Sequence, residues 1–145
     1  MVIGTDTFVA YLKSELKSIG FSNIVVGNDT DYQKNSTTIN IISKYGGNEN
    51  SHFVSDIVSV PIIYTFDFVR GAGAIVIMPG DDKEVLAQTD LRLWAAEYMS
   101  GYCAFWNMEG CDWLGEALPE IKAGVTNEST QRLAAHICAR IAANI

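Results

Sequence analysis

Apolar and polar positions alternate with period two through residues 61–70. Ile62, Tyr64, Phe66 and Phe68 fall on one side, and Ile63, Thr65, Asp67 and Val69 on the other. Such alternation among β-branched and aromatic residues predicts a strand with one face on a core. Residues 37–44, 52–60 and 74–78 read as further strands, with Tyr45-Gly46-Gly47-Asn48 and Gly71-Ala72-Gly73 as turns between them. Pro61 lacks an amide donor and marks an edge, a bulge or a break. Short connections predict antiparallel pairing, because a parallel return needs a crossover of about a dozen residues. Ile62, Tyr64, Phe66 and Phe68 are then expected against the first and last helices, since a one-residue slip would put Thr65 and Asp67 inside.

Helical spacing brackets this run. Residues 6–19 place Phe8, Leu12, Leu16 and Ile19 on one face, with Thr5 or Asp6 as cap and Gly20 as stop. A short strand follows at 21–26, ended by Gly27-Asn28-Asp29, and residues 29–36 read as a polar loop. Pro79-Gly80-Asp81-Asp82 introduces a second helix over about 83–100, ended by Gly101, and 102–106 reads as an aromatic extended piece. Residues 107–126 give no clear element, because Leu118-Pro119 and Ala123-Gly124 interrupt them. The last helix covers 129–143 behind Asn127, with Leu133, Ile137 and Ile141 as its apolar stripe and small alanines around them that permit close approach to the sheet. The expected fold is one α+β domain over residues 1–145, an antiparallel or mostly antiparallel sheet of four to five strands with three helices packed against it.

Composition narrows the function. The chain of 145 residues is 48% hydrophobic and 19% charged, ordinary for a globular domain. No uninterrupted apolar run exceeds five residues, as in 74–78, too short for a membrane span. The first residues carry no basic stretch followed by an apolar one, so a soluble protein without a signal peptide is expected. Three cysteines, Cys103, Cys111 and Cys138, cannot all pair and read as reduced thiols, Cys138 as a small buried hydrophobe. The net charge of −7 argues against a phosphate-gripping surface. Residues 81–128 hold ten acidic and three basic residues, so most of the acidic field lies in the second half.

Chemistry-bearing motifs are weak. His52 reads as a solvated residue at a strand mouth, and His136 lies two positions from Cys138, which on a helix points about 200° away. Neither the cysteine spacings nor Asp81-Asp82-Lys83-Glu84 match a zinc or calcium site. The acidic cluster reads as a helix N-terminus instead. Gly71-Ala72-Gly73-Ala74 lacks the third glycine of a dinucleotide loop and leads into a strand. No residue is assigned a catalytic, cofactor-binding or metal-ligating role, no cofactor is expected, and the protein is read as not an enzyme. Trp94, Tyr98, Tyr102, Phe105, Trp106 and Trp113 stand out. Trp94 and Tyr98, four apart on a helix, read as core packing, but three tryptophans within twenty residues exceed what a small core needs, and a protein interface takes up such residues. The alternative use of the 94–113 region is as a pocket in a small-molecule binding or regulatory domain.

The order TFVAYLKSELKSIG, NIVVG, TTINIISKYGG and SVPIIYTFDFV resembles the opening of the tail-terminator and minor-capsid (neck) proteins of tailed bacteriophages, over about residues 5–70. The aromatic and acidic stretch 102–120 departs from that pattern. The resemblance implies a structural virion protein, assembled in the host cytoplasm. Its subunits form a homo-oligomeric ring, commonly a hexamer, around the DNA channel at the end of the tail tube. Its partners would be further copies of itself and other virion proteins such as the tail tube and connector. DNA passes through without sequence-specific binding, and no membrane is involved.

Overall fold

Thr5 opens the first helix, its hydroxyl accepting from the Phe8 amide. The computed structural model describes residues 1–27, 38–43, 60–68, 70–81, 91–110, 112–123 and 125–145. Over these the chain forms β1 (Val2–Ile3), α1 (Asp6–Ser18), β2 (Asn40–Ser43), β3 (Ile62–Phe68), β4 (Gly71–Ile77), α2 (Leu91–Phe105), α3 (Asp112–Lys122) and α4 (Glu128–Ala142). Phe8, Leu12 and Leu16 are buried one helical repeat apart, and Gly20 at φ +103° ends α1 where a side chain would be strained. The last helix also starts as expected, behind Asn127, whose side chain accepts from the Thr130 amide.

The sheet is mixed. Its order is β1-β2-β3-β4, with β1–β2 and β2–β3 parallel and β3–β4 antiparallel. The antiparallel expectation therefore holds for the last pair alone. Residues 44–61 separate β2 from β3, enough chain for a parallel crossover. The strand expected at 52–60 and the turn at 45–48 fall outside the described residues, apart from Val60. Residues 21–26 do not extend the sheet as a full strand. Val2 donates to the Val25 carbonyl at 2.8 Å and accepts from the Gly27 amide at 3.0 Å, a single bridge at the β1 edge. The glycines expected as a turn instead begin β4, because Phe68 pairs directly with Gly71.

Helices cover both faces of the sheet. Ile3, Ile42, Ile62, Tyr64 and Ile77 pack with Ala95, Ala96, Leu114, Ala117 and Ile121 of α2 and α3. Val2, Ile41 and Ile63 pack with Phe8, Leu12 and Leu16 of α1 and with Ala134, Ala135, Cys138 and Ala139 of α4. This corrects the facing of β3. Ile62 and Tyr64 look at α2 and α3, whereas the alternate set lies under the first and last helices. Thr65 and Asp67, expected outside, are fully buried there. Thr65 Oγ1 donates to the Gly73 carbonyl at 2.9 Å and Thr130 Oγ1 to Asp67 Oδ2 at 3.1 Å, which offsets part of the cost of burying such groups. The side chains of Phe66 and Phe68 lie outside the described set.

Four helix expectations also change. There are four helices among the described residues, not three. α2 continues through Gly101 to Phe105, so 102–106 is helical and not extended; residues 82–90 are outside the described set. α3 accommodates Pro119, since Leu114, Ala117 and Ile121 fasten its length to the sheet and outweigh one missing amide. On α4 the buried stripe is the small one, Ala134, Ala135, Cys138, Ala139 and Ala142, while Leu133 is exposed and Ile137 and Ile141 are half-buried on the flank. Small side chains bring the α4 backbone close to β3, and the larger ones are left to the side.

Burial on both faces makes Ile63 as central as Tyr64. Ile63→Ala is expected to lower the unfolding free energy by about 2–5 kcal/mol, measured by urea titration. A change within about 0.5 kcal/mol, the range of a surface substitution, would place Ile63 on an open face.

Candidate protein interface

Among the described side chains of α2, Ala95 and Ala96 are the buried ones, packed into the core on this face of the sheet. Its aromatic side chains go elsewhere. Trp94, Tyr98 and Tyr102 follow at intervals of four, Phe105 is the last residue of the helix and Trp106 follows it, so the row runs along an outward face to the helix end. Trp94 is 43% exposed, Trp106 61% and Phe105 80%. The rings meet in two groups along the row. Trp94 and Tyr98 stack with centroids 5.6 Å apart, Tyr102 and Trp106 lie 6.3 Å apart, and Phe105 meets Trp106 edge-on at 5.2 Å. Asn107 at φ +48° and Gly110 at φ +81° turn the chain into α3.

Trp113 behaves differently from this row. It is half-buried against the α2–α3 side of the core, and its Cη2 would lie 2.8 Å from a Cβ placed at Gly71. The glycine at the start of β4 therefore makes room for an indole. Among the six aromatics singled out from the sequence, Trp113 serves the core and the other five are exposed, which corrects the core packing expected of Trp94 and Tyr98: their side of α2 faces away from the sheet.

Carboxylates frame that surface. Glu97, Glu109, Asp112 and Glu116 are exposed on or beside α2 and α3, and Glu120 is half-buried. Arg70 approaches Glu116 at 3.5 Å with both side chains largely in solvent, a contact of little energetic weight. The acidic residues Asp82, Glu84 and Asp90 fall outside the described residues. A cleft of about 210 Å³ in the same region is lined by Ser100, Cys103, Ala104, Asn107, Met108 and Asp112, none of them aromatic. The aromatic residues thus form a ridge and do not line this cleft.

The titratable residues weighed from the sequence are dispersed. His136 is exposed on α4, its Nδ1 3.1 Å from Glu15 Oε2 of α1, and Cys138 points into the core between α4 and the sheet. Burial raises the Cys138 thiol from 9.0 to about 12, with a hydrogen bond to Thr65 acting weakly the other way. Cys103 is half-buried on α2; His52 and Cys111 lie outside the described residues. Among the described residues no three His, Cys, Asp or Glu side chains gather closely enough to hold a metal ion, and no helix is long and apolar enough to cross a membrane.

The helical row was within reach of sequence reasoning, since positions 94, 98 and 102 are one repeat apart. Taking Gly101 as a helix stop hid its second half. Comparison with family models, curated proteins and solved structures finds no match for the chain.

Two outcomes are expected. Trp113→Ala costs about 1–3 kcal/mol and Phe105→Ser stays within about 0.5 kcal/mol in urea unfolding; equal losses would mean that Phe105 is packed. Between pH 9.0 and about 12 the unfolded chain has released the Cys138 proton while the folded chain retains it. Stability present below pH 9 therefore falls with rising pH, by about 1.4 kcal/mol per unit from this group. Cys138→Ala should flatten that alkaline slope, and an unchanged slope would show the thiol ionising freely in the fold.

Proposed function

We propose that the chain is a structural subunit of a virion, a tail-terminator or neck protein of tailed bacteriophages, and that it works through protein–protein interfaces without catalysis. The observation that carries this reading is the α2 ridge. Five exposed aromatic side chains, grouped by ring contact as the pair Trp94–Tyr98 and the trio Tyr102–Trp106–Phe105, stand on an outward face, the residue types that interfaces enrich. Large contiguous apolar patches on a soluble domain mark interaction sites.

Two further features support an assembly role. The order of α1, the extended residues 21–27, β2 and β3 follows the segments on which the resemblance to these phage proteins rests. The acidic balance, −7 overall, suits a subunit beside a channel through which DNA slides, where phosphate-binding cations would hinder passage. In this reading the subunit forms a ring with copies of itself, commonly a hexamer. The α2 ridge supplies the contact to a neighbour or to the tail tube, and the carboxylates of 97–128 line a rim or channel. A ligand-binding domain is the second reading. A cleft of about 350 Å³ at the β1 edge, walled by Leu16, Phe21, Ile24, Ile39 and Ile41, favours it.

Native mass spectrometry and electron microscopy of the chain, alone and with tail tubes, test the proposal. A closed ring of identical subunits is expected, lost in the folded Phe105→Ser/Trp106→Ser variant. A chain that stays monomeric under every condition, with tail tubes present, would refute it.

A further inference from the structure

β4 is the last strand in the sheet order, and among the described residues no strand pairs with its outer side. It is seven residues long, Gly71–Ile77, with no charge and no proline. Edge strands in soluble domains are ordinarily guarded by such residues, by bulges or by shortness, because an open ladder invites pairing. Pairing with β3 accounts for the glycines, which lie opposite Phe66 and Phe68, but not for the unguarded edge.

We propose that two copies of this chain join their β4 strands antiparallel about a two-fold axis at Ala74, merging two four-stranded sheets into one continuous sheet. Three observations single out a second copy as the occupant. In this register Gly71 faces Ile77 of the second copy, Ala72 faces Val76, and Gly73 faces Ile75, so each small residue meets a large one on both faces of the sheet. Carried one step further, Arg70 of one copy lies opposite Met78 of the other. The Met78 amide donates to Asp81 Oδ2 at 2.8 Å, which places that carboxylate beside the incoming guanidinium. The two-fold repeats this opposite-charge pair at the other end, and Arg70 and Asp81 are both exposed in the single chain.

The third observation is on α4. Its Glu128, Arg132 and His136 face α1, through Tyr11 and Glu15. Leu133, Ile137 and Ile141 therefore occupy the opposite flank, above the outer edge of β4, where Leu133 is 45% exposed and the isoleucines are half-buried. The two-fold axis brings the two flanks together and covers both. The contact is isologous, unlike the head-to-tail contact that closes a simple ring, so a hexamer containing it would be a trimer of dimers.

Analytical ultracentrifugation of the full chain over a range of concentrations tests the inference. A reversible dimer is expected. Leu133→Lys and Arg70→Asp alter exposed residues, so circular dichroism and the urea midpoint should stay unchanged while the dimer weakens by about tenfold or more. The charge swap Arg70→Asp/Asp81→Arg should restore most of what Arg70→Asp loses. Phe105→Ser/Trp106→Ser should leave this dimer intact even if it abolishes a ring. A monomer at all concentrations, or a dimer indifferent to Leu133→Lys and to the charge series, would overturn the proposal. A dimer lost only in the Phe105/Trp106 variant would assign the contact to α2 instead.

Discussion

Strand β3 is buried on both sides, and the rest of the architecture follows from that constraint. Ile62 and Tyr64 on one face and Ile63, Thr65 and Asp67 on the other are all almost completely excluded from water. A strand in that position needs a helical layer above and below, so α1 and α4 take one face while α2 and α3 take the other. The two layers solve the packing differently. α4 presents a run of alanines and Cys138 to the sheet and sits close. Among its described side chains, α2 buries Ala95 and Ala96 against this core and turns its aromatic rings outward.

That asymmetry concentrates binding capacity on the outer helices. Leaving five aromatic rings exposed to water is unfavourable by the ordinary cost of apolar exposure, and it is recovered when another surface covers them. The carboxylates around the ridge add a condition on what that surface can be. A neighbour that brings apolar side chains flanked by cations fits, whereas a nucleic-acid backbone does not. The buried pair of Asp67 and Thr130 belongs to a different role, tying α4 to the end of β3 and fixing its rotation over the sheet.

Much of this was legible from residue spacing. Thr5 and Asn127 as caps, the 8–12–16 repeat of α1 and the strand at 62–68 all appear where the pattern places them. The direction of the strands was not legible, because residues 44–61 were read as a turn and strand and thus left no crossover. The facing of β3 was ambiguous for a physical reason. When both faces are buried, Ile63 counts as much as Ile62, and a buried Asp67 with a hydroxyl partner mimics a solvent-facing residue. α3 was hidden by Pro119, whose cost is met by tertiary contacts that no local rule includes. β1, two residues long, is below what periodicity can register. The aromatic ridge was half visible, and Gly101 cut it short.

The central claim is that the α2 ridge is covered when the protein works. Tryptophan emission with acrylamide quenching reads this directly when Trp113 is replaced by Phe, so that only Trp94 and Trp106 report. In the free subunit both indoles should emit near the wavelength of hydrated tryptophan and quench readily. In the assembled particle the emission should shift to shorter wavelength and quenching should fall by about half or more, as interface burial of an indole requires. Emission and quenching identical in the free subunit and the particle would contradict the account.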